Sequence, residues 1–227
     1  MKDIRLEIKS RESIVKMAID FIRTNIVEDR IKPNEKISMR QISSDLNIST
    51  TPIREAVRKL ESEGLIILIP RIGFKVKQYN REKIEEIYTV RKILELYAIK
   101  LACKKITKKE IIKIKNINNK LSEILSEDKK NILEVKKLNE AFHFTIYQAS
   151  KNHTICEIIQ NLWYRISGLF FQIFANPEQG KTTFKEHQDI IQALEEKNIE
   201  KAVQLLDKHL NLNKEILLSY IALNDSK

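Results

Sequence analysis

The stretch from Ile37 to Val76 most limits what this chain can fold into, because signals for a helix, a turn, a second helix and a hairpin follow one another without a gap. Ser38 and Gln41, three residues apart, match a capping box, so a short helix is predicted there with Ile42 and Leu46 one turn apart on one face. Asn47 follows in a tight turn and is one of the few non-glycine residues that tolerate a left-handed backbone. Thr51 is a good N-cap and Pro52 suits a first helical position, where its missing N–H is unneeded, so the second helix is predicted to begin at Pro52. Ile53, Ala56, Val57 and Leu60 form its apolar stripe, and Arg54 and Arg58 sit one turn apart on another face. Gly64 should end it. Leu65 to Ile69 is apolar and β-branched, Pro70 to Gly73 is a turn, and Phe74 to Lys77 alternates apolar and basic, which describes a two-stranded hairpin. The whole is a winged helix-turn-helix, a shape that fits the major groove of DNA.

Taken singly, Ser49, Thr50, Thr51 and Pro52 do no more than start a helix, and Arg54 and Arg58 are a solvated face. Jointly, a hydroxyl-rich helix N-terminus, two arginines one turn apart and a basic hairpin tip at Arg71 make a surface suited to phosphates and base edges. The stretch SMRQISSDLNISTTPIREAVRKLESEGLIILIPRIGFKV resembles the winged-helix domain of the GntR superfamily of bacterial transcription regulators. That resemblance implies operator contacts by Arg40, Ser49, Thr50, Thr51, Arg54, Arg58, Arg71 and Gly73. The family often has arginine where this chain has Thr50 and a second basic residue where it has Ile72, so a different base preference is expected.

At 227 residues the chain is long enough for two domains, expected at 1–78 and 79–227. Only four glycines and four prolines leave little loop, and abundant Leu, Ile, Lys and Glu argue for helices. The net charge of +10 suits a polyanion. The first 78 residues hold 16 Lys and Arg against 11 Asp and Glu, so the excess is denser at the front. Cys103 and Cys156 form no CxxC, which suggests neither a disulfide framework nor a zinc ribbon and fits a reducing cytoplasm. No apolar run approaches the roughly 18 residues of a membrane span. Five charges in the first nine residues exclude a signal peptide's apolar core and suggest a frayed start.

Ser10 to about Glu28 reads as an amphipathic helix that packs beneath the helix-turn-helix, and Lys32 to Glu35 as a turn. After a short polar junction at Gln78 to Asn80 the sequence shows helical periods alone, broken at Thr107, Lys130-Asn131, Lys151-Asn152, Asn176-Pro177 and Lys197-Asn198. The fold class is therefore mostly α: a winged domain followed by an all-α antiparallel bundle of about six helices. In the first of these, Arg81 to Lys104, the residues Ile84, Ile87, Val90, Ile93, Leu94, Tyr97 and Leu101 are expected inward; Thr107 and Glu110 make a capping box for the second. The segments 131–150, 152–175, 181–197 and 198–222 follow.

Asn139 and His143 are i and i+4 on one helix. His187 lies ten residues before Lys197 and His209 eleven after Asn198, which an antiparallel hairpin brings level. Three imidazoles and an amide oxygen then converge in the bundle, the usual place for a metal site in such an architecture, and imidazole suits Zn, Ni, Cu or Fe. A single histidine on such a helix is more often hydrogen-bonded core or surface, the reading given to His153 at a helix start. The segment NEAFHFTIYQASKN, the VRKILE run around Arg91 and the later EH and H resemble the FCD effector-binding domain of GntR regulators, FadR subfamily, of the six-helix VanR-like type. In many members of that family a D-x-x-x-H pair and two later histidines hold a divalent metal, so Zn or Ni is expected here; Asn139 stands where the aspartate is expected. Asparagine cancels none of a metal's charge, so metal is held more weakly or keeps its full charge for an anionic effector. Arg91 is a second anion anchor or, equally, half of a surface ion pair with Glu95.

The function expected is a metabolite-responsive repressor: a cytoplasmic homodimer, with no membrane partner, that reads a pseudo-palindromic double-stranded operator and senses a small organic or sugar acid. The competing reading is a metal-dependent enzyme with a basic nucleic-acid-binding domain, Glu140 or Glu186 acting as base. Against it stand the lack of HExxH and the expectation that both glutamates, adjoining ligand candidates, turn to another helix face. A third reading is a DNA-binding structural protein with an inert bundle.

Overall fold

A computed structural model describes residues 11–225 other than 29, 33, 127–130 and 167–176. The chain divides into two compact units, 1–78 and 79–227. The expected fraying of residues 1–9, Pro33 of the 32–35 turn, and the part of the predicted 152–175 segment beyond Ile166 lie outside the described residues.

In the first unit, Ser38 accepts a hydrogen bond from the Gln41 N–H (3.1 Å) and starts α2 (Met39–Leu46), with the short strand β1 (Lys36–Ile37) just before it. Asn47 ends α2 with φ at 52°, so the turn closes without glycine. Helix α3 (Thr50–Ser62) begins earlier than predicted. Ser49, not Thr51, is the N-cap, and Pro52 falls inside the first turn, where N–H groups have no intrahelical acceptor. Ile53, Ala56, Val57 and Leu60 of α3 are buried against Ala18, Ile22 and Ile26 of α1 (Arg11–Val27). Ion pairs Arg11–Glu55 and Arg23–Glu63 flank that contact.

The wing consists of β2 (Ile66–Ile69) and β3 (Gly73–Val76), with Leu68 opposite Phe74. Sequence reasoning found two strands, but the sheet has three, in the order β1-β3-β2, with Ile37 opposite Phe74. A two-residue strand carries no periodicity. It is admitted by Gly73, where a Cβ would lie 1.9 Å from the Ile37 carbonyl oxygen. At the wing tip the Ile72 N–H reaches the Ile69 carbonyl (3.1 Å) across Pro70 and Arg71, and Arg71 has φ at 65° in a position that favours glycine.

The second unit contains α4 (Arg81–Lys105), α5 (Lys108–Leu125), α6 (Ile132–Ala149), α7 (His153–Ile166), α8 (Pro177–Glu195) and α9 (Ile199–Asp225). Thr107 and Glu110 form the capping box that opens α5. Helix α8 starts at Pro177 rather than 181, since proline at N1 begins a helix as readily as it ends one. Ion pairs Lys120–Glu134 and Lys151–Glu110 set α5 antiparallel to α6. Lys115–Glu195, with Leu125 against Gly180, sets α5 antiparallel to α8, so α6 and α8 run the same way. A short turn returns the chain into α9 along α8. Phe142, Tyr147, Leu194, Leu206 and Leu217 lie in the common core.

Helix α4 departs from the expected inward face. Arg91 and Glu95 are 1% and 0% exposed, whereas Ile93 is 65% exposed and Val90 and Tyr97 also face outward. Both faces of α4 carry aliphatic residues, so the apolar period is ambiguous. The choice falls to Arg91 and Glu95, which neutralise each other in the interior (Nε to Oε1, 2.7 Å) while the guanidinium lies 4.7 and 4.6 Å from the rings of Tyr88 and Trp163. No helix among the described residues is long and apolar enough to cross a membrane.

Candidate functional site

Two places in the chain gather the residues singled out by sequence. In the first unit, Arg40 on α2 and Thr50, Arg54 and Arg58 on α3 face Arg71, Ile72 and Gly73 of the wing across a cleft of about 810 Å³. The helix-turn-helix aligns α2 with α3, and the β3 pairing holds the wing tip opposite. Arg40, Arg54, Arg58 and Arg71 are exposed. Ser49 and Thr51 are exposed at the α3 N-terminus beside the cleft, and Ser49 makes no capping hydrogen bond with its side chain. First-turn N–H groups there are open to an anion. Gly73 differs from the others: it is buried, and its lack of a Cβ serves the approach of Ile37.

In the second unit, His143 on α6, His187 on α8 and His209 on α9 are buried and bring one ring nitrogen each within 4.8 Å of one another. The tautomers follow from the partners of the other nitrogens. His209 Nδ1 faces the Glu186 carboxylate (2.7 Å) and His187 Nδ1 faces the Asn118 amide oxygen (3.1 Å), both acceptors, so each Nδ1 carries the proton. His143 Nδ1 lies 3.3 Å from the Tyr147 hydroxyl, whose own hydrogen goes to Glu95, so that Nδ1 is also the donor. All three Nε2 atoms therefore present lone pairs. His143 Nε2 and His209 Nε2 are 3.2 Å apart, close to the separation of two imidazoles on one ion at about 2.0–2.1 Å. Among the described residues, the contact that relieves the repulsion is the Asn213 amide, 3.0 Å from His209 Nε2. His187 Nε2 and Asn139 Oδ1 have no hydrogen-bond partner among the described residues. Burial, and then the neighbouring histidines, hold the basicity of His143 and His187 well below the ordinary range, which keeps both neutral.

This donor set fits a borderline divalent cation: three oriented imidazoles and an unsatisfied amide oxygen, each imidazole steadied by an outer hydrogen bond. Sequence reasoning singled out the histidines and Asn139 but missed the groups that orient them. Glu186 was expected to turn away; it reaches across to the next helix instead, because α8 and α9 are close enough for its side chain to span them. Asn118 offered a signal, a polar interruption of the α5 stripe. Glu95 offered less. It accepts from Arg91, Tyr147 and the Trp163 indole (2.9 Å), so Arg91, expected as an open anion anchor or surface pair, is instead part of a buried network joined to His143. His153 is the exposed first residue of α7, capped by Asn152.

Two family profiles match the chain. The profile of the FCD domain matches residues 86–212, and that of "Bacterial regulatory proteins, gntR family" matches residues 14–76. The HTH-type transcriptional regulator McbR of Escherichia coli is 27% identical over 189 residues, covering 82% of this chain and 85% of its own length. The HTH-type transcriptional repressor RspR of Escherichia coli is 23% identical, covering 84% and 82%. Among solved structures, E. coli McbR/YncC superposes with a TM-score of 0.85 at 23% identity, covering 92% of this chain and 98% of that one. A GntR regulator from Rhodococcus sp. RHA1 superposes with a TM-score of 0.76 at 18% identity, covering 90% and 97%. The basic cleft, the helical bundle and the two family matches place the chain in the gntR family as a DNA-binding transcription regulator with an FCD domain.

Proposed function

We propose that this regulator is a repressor whose bundle holds a divalent metal ion, zinc or nickel, through His143, His187, His209 and Asn139, and that a small carboxylate effector completes the ion's coordination. The observation that carries the reading is the meeting of three imidazole lone pairs in a buried site where, among the described residues, His187 Nε2 has no donor at all. That arrangement is costly unless a cation occupies it. Bound there, the ion supplies positive charge and open coordination positions. With Asn139 in place of a carboxylate, more of that charge remains for an anion.

Operator contacts fall to Arg40, Ser49, Thr50, Thr51, Arg54, Arg58 and Arg71, the cleft-side cations supplying phosphate and base contacts and Gly73 shaping the wing that carries Arg71. The outward row Val90, Ile93 and Tyr97 on α4 supports a homodimer formed through the helical domain, since an exposed apolar row at i, i+3 and i+7 suits a second copy of the same helix. A two-fold protein reads a pseudo-palindromic operator. Effector binding then changes occupancy by a coupling of about 1–3 kcal/mol. The relative RspR, a repressor by name, supports the sign of regulation.

The test is metal analysis of full-length protein purified without chelator, beside His187→Ala. About one equivalent of zinc or nickel in the first and a marked loss in the second are expected. A metal-free wild type sinks the reading. For the dimer, Ile93→Glu should shift the sedimentation coefficient to that of a monomer at micromolar concentration; an unchanged value removes α4 from the interface.

A further inference from the structure

The three histidines do not stand alone on their helices. One turn from each, on the same face, lies a buried neutral polar residue: Asn139 before His143, Thr183 before His187 and Asn213 after His209, at 4%, 1% and 7% exposure. Helices α6 and α8 run in one direction and α9 returns along α8. Residues N-terminal to His143 and His187 and C-terminal to His209 therefore fall on one side of the histidine plane. Together they form a second polar layer. Asn139 Oδ1, Thr183 Oγ1 and Asn213 Oδ1 all have no hydrogen-bond partner among the described residues.

Buried side-chain oxygens are paired in the great majority of cases, and each orphan costs about 1–3 kcal/mol. Asn139 Oδ1 is taken by the ion in the site proposed above; the two that remain, Thr183 Oγ1 and Asn213 Oδ1, lie beside three converging nitrogens and mark a place where a ligand supplies the missing partners. The Asn213 amide oxygen accepts and the Thr183 hydroxyl accepts or donates, so a ligand hydroxyl, which does both, suits either. The charge count limits the ligand further. Arg91 is neutralised by Glu95, and Lys136, one turn before Glu140 on α6, has an opposite charge at i+4. With both of these cations offset, the ion supplies the attraction for an anion.

We infer that Thr183 and Asn213 select the effector. It is a small monocarboxylate bearing hydroxyl groups, its carboxylate toward the histidine plane and its hydroxyls on the Asn213 and Thr183 oxygens. The inference rests on the metal-held carboxylate site proposed above. It adds residues that read the rest of the molecule, and it separates hydroxylated monoacids from plain fatty acids and from polycarboxylates.

Calorimetry on metal-loaded full-length protein tests it with matched pairs: glycerate against propionate, gluconate against hexanoate, and citrate. At least one hydroxylated acid should bind about tenfold or more tighter than its deoxy partner and than citrate, the gain of one or two paired oxygens. Thr183→Val and Asn213→Leu should each weaken that binding about tenfold while metal content stays at the wild-type value. Thermal stability of ligand-free Thr183→Val should stay level or rise, because an orphan oxygen has been removed. Propionate, hexanoate or citrate matching the hydroxylated acids overturns the inference. So do variants that bind like wild type, or a Thr183→Val protein several degrees less stable, which marks the hydroxyl as already satisfied. A protein that takes up neither metal nor any carboxylate overturns the site reading beneath it.

Discussion

The winged unit and the bundle place their polar groups under opposite conditions. Around the cleft of the winged unit the arginines are exposed, each without an ion-pair partner among the described residues, and any one is separable from the fold. In the bundle the polar groups are buried and linked: Arg91 to Glu95, Glu95 to Tyr147 and Trp163, Tyr147 to His143. What differs is water. Solvent screens the first set, so each member contributes additively; low dielectric couples the second, so each depends on the next.

The contrast breaks most easily at Glu95. Glu95→Ala strips a buried cation of its partner and should cost about 3–5 kcal/mol in urea unfolding, whereas Glu55→Ala, which removes the partner of the exposed Arg11, should leave the unfolding midpoint close to wild type. Equal losses would dissolve the distinction between the two regions. Metal removal ranks next. An ion at a hundred times its Kd stabilises by about 2.7 kcal/mol, so chelation should lower Tm by roughly 5–10 °C. His187→Ala should show no such response to chelator.

Arg54→Ala should weaken operator binding by about 1–3 kcal/mol in titrations at fixed salt and leave Tm unchanged. A large fall in Tm would show that the cleft is not separable after all. Arg71→Gly sharpens the point with opposite signs. Relief of the left-handed backbone should raise stability by about 1 kcal/mol, while the salt dependence of DNA binding loses about one phosphate contact. The smallest effect lies away from both sites. The hydrogen bond from Lys151, with those from Thr107, holds the Glu110 carboxyl down at about 2 from an ordinary 4.5. Its contribution is therefore present above pH 4.5 and disappears as the pH falls toward 2. Because the pair is partly solvated, less than about 1 kcal/mol should separate wild type from Glu110→Gln at neutral pH, and nothing near pH 2.

Much of the first unit was legible because its signals are local. Ser38, Asn47 and Gly64 stop or start elements through their own backbone chemistry, and the apolar stripe of α3 needs no partner to be recognised. The histidine set was legible for a similar reason: i, i+4 spacing and a short helical hairpin are regular enough to count along. Sequence alone determined the two-part organisation expected, the winged element, the helical character of the rest and the identity of the converging imidazoles. Tertiary structure decided which face of α4 turned inward, how Glu186 and Asn118 came to hold the imidazoles, and where a two-residue strand joined the wing. Those outcomes depend on residues far apart in the chain meeting in a medium without water, where the pairing of Arg91 with Glu95 outweighs the exposure of Ile93, and no local period records that balance.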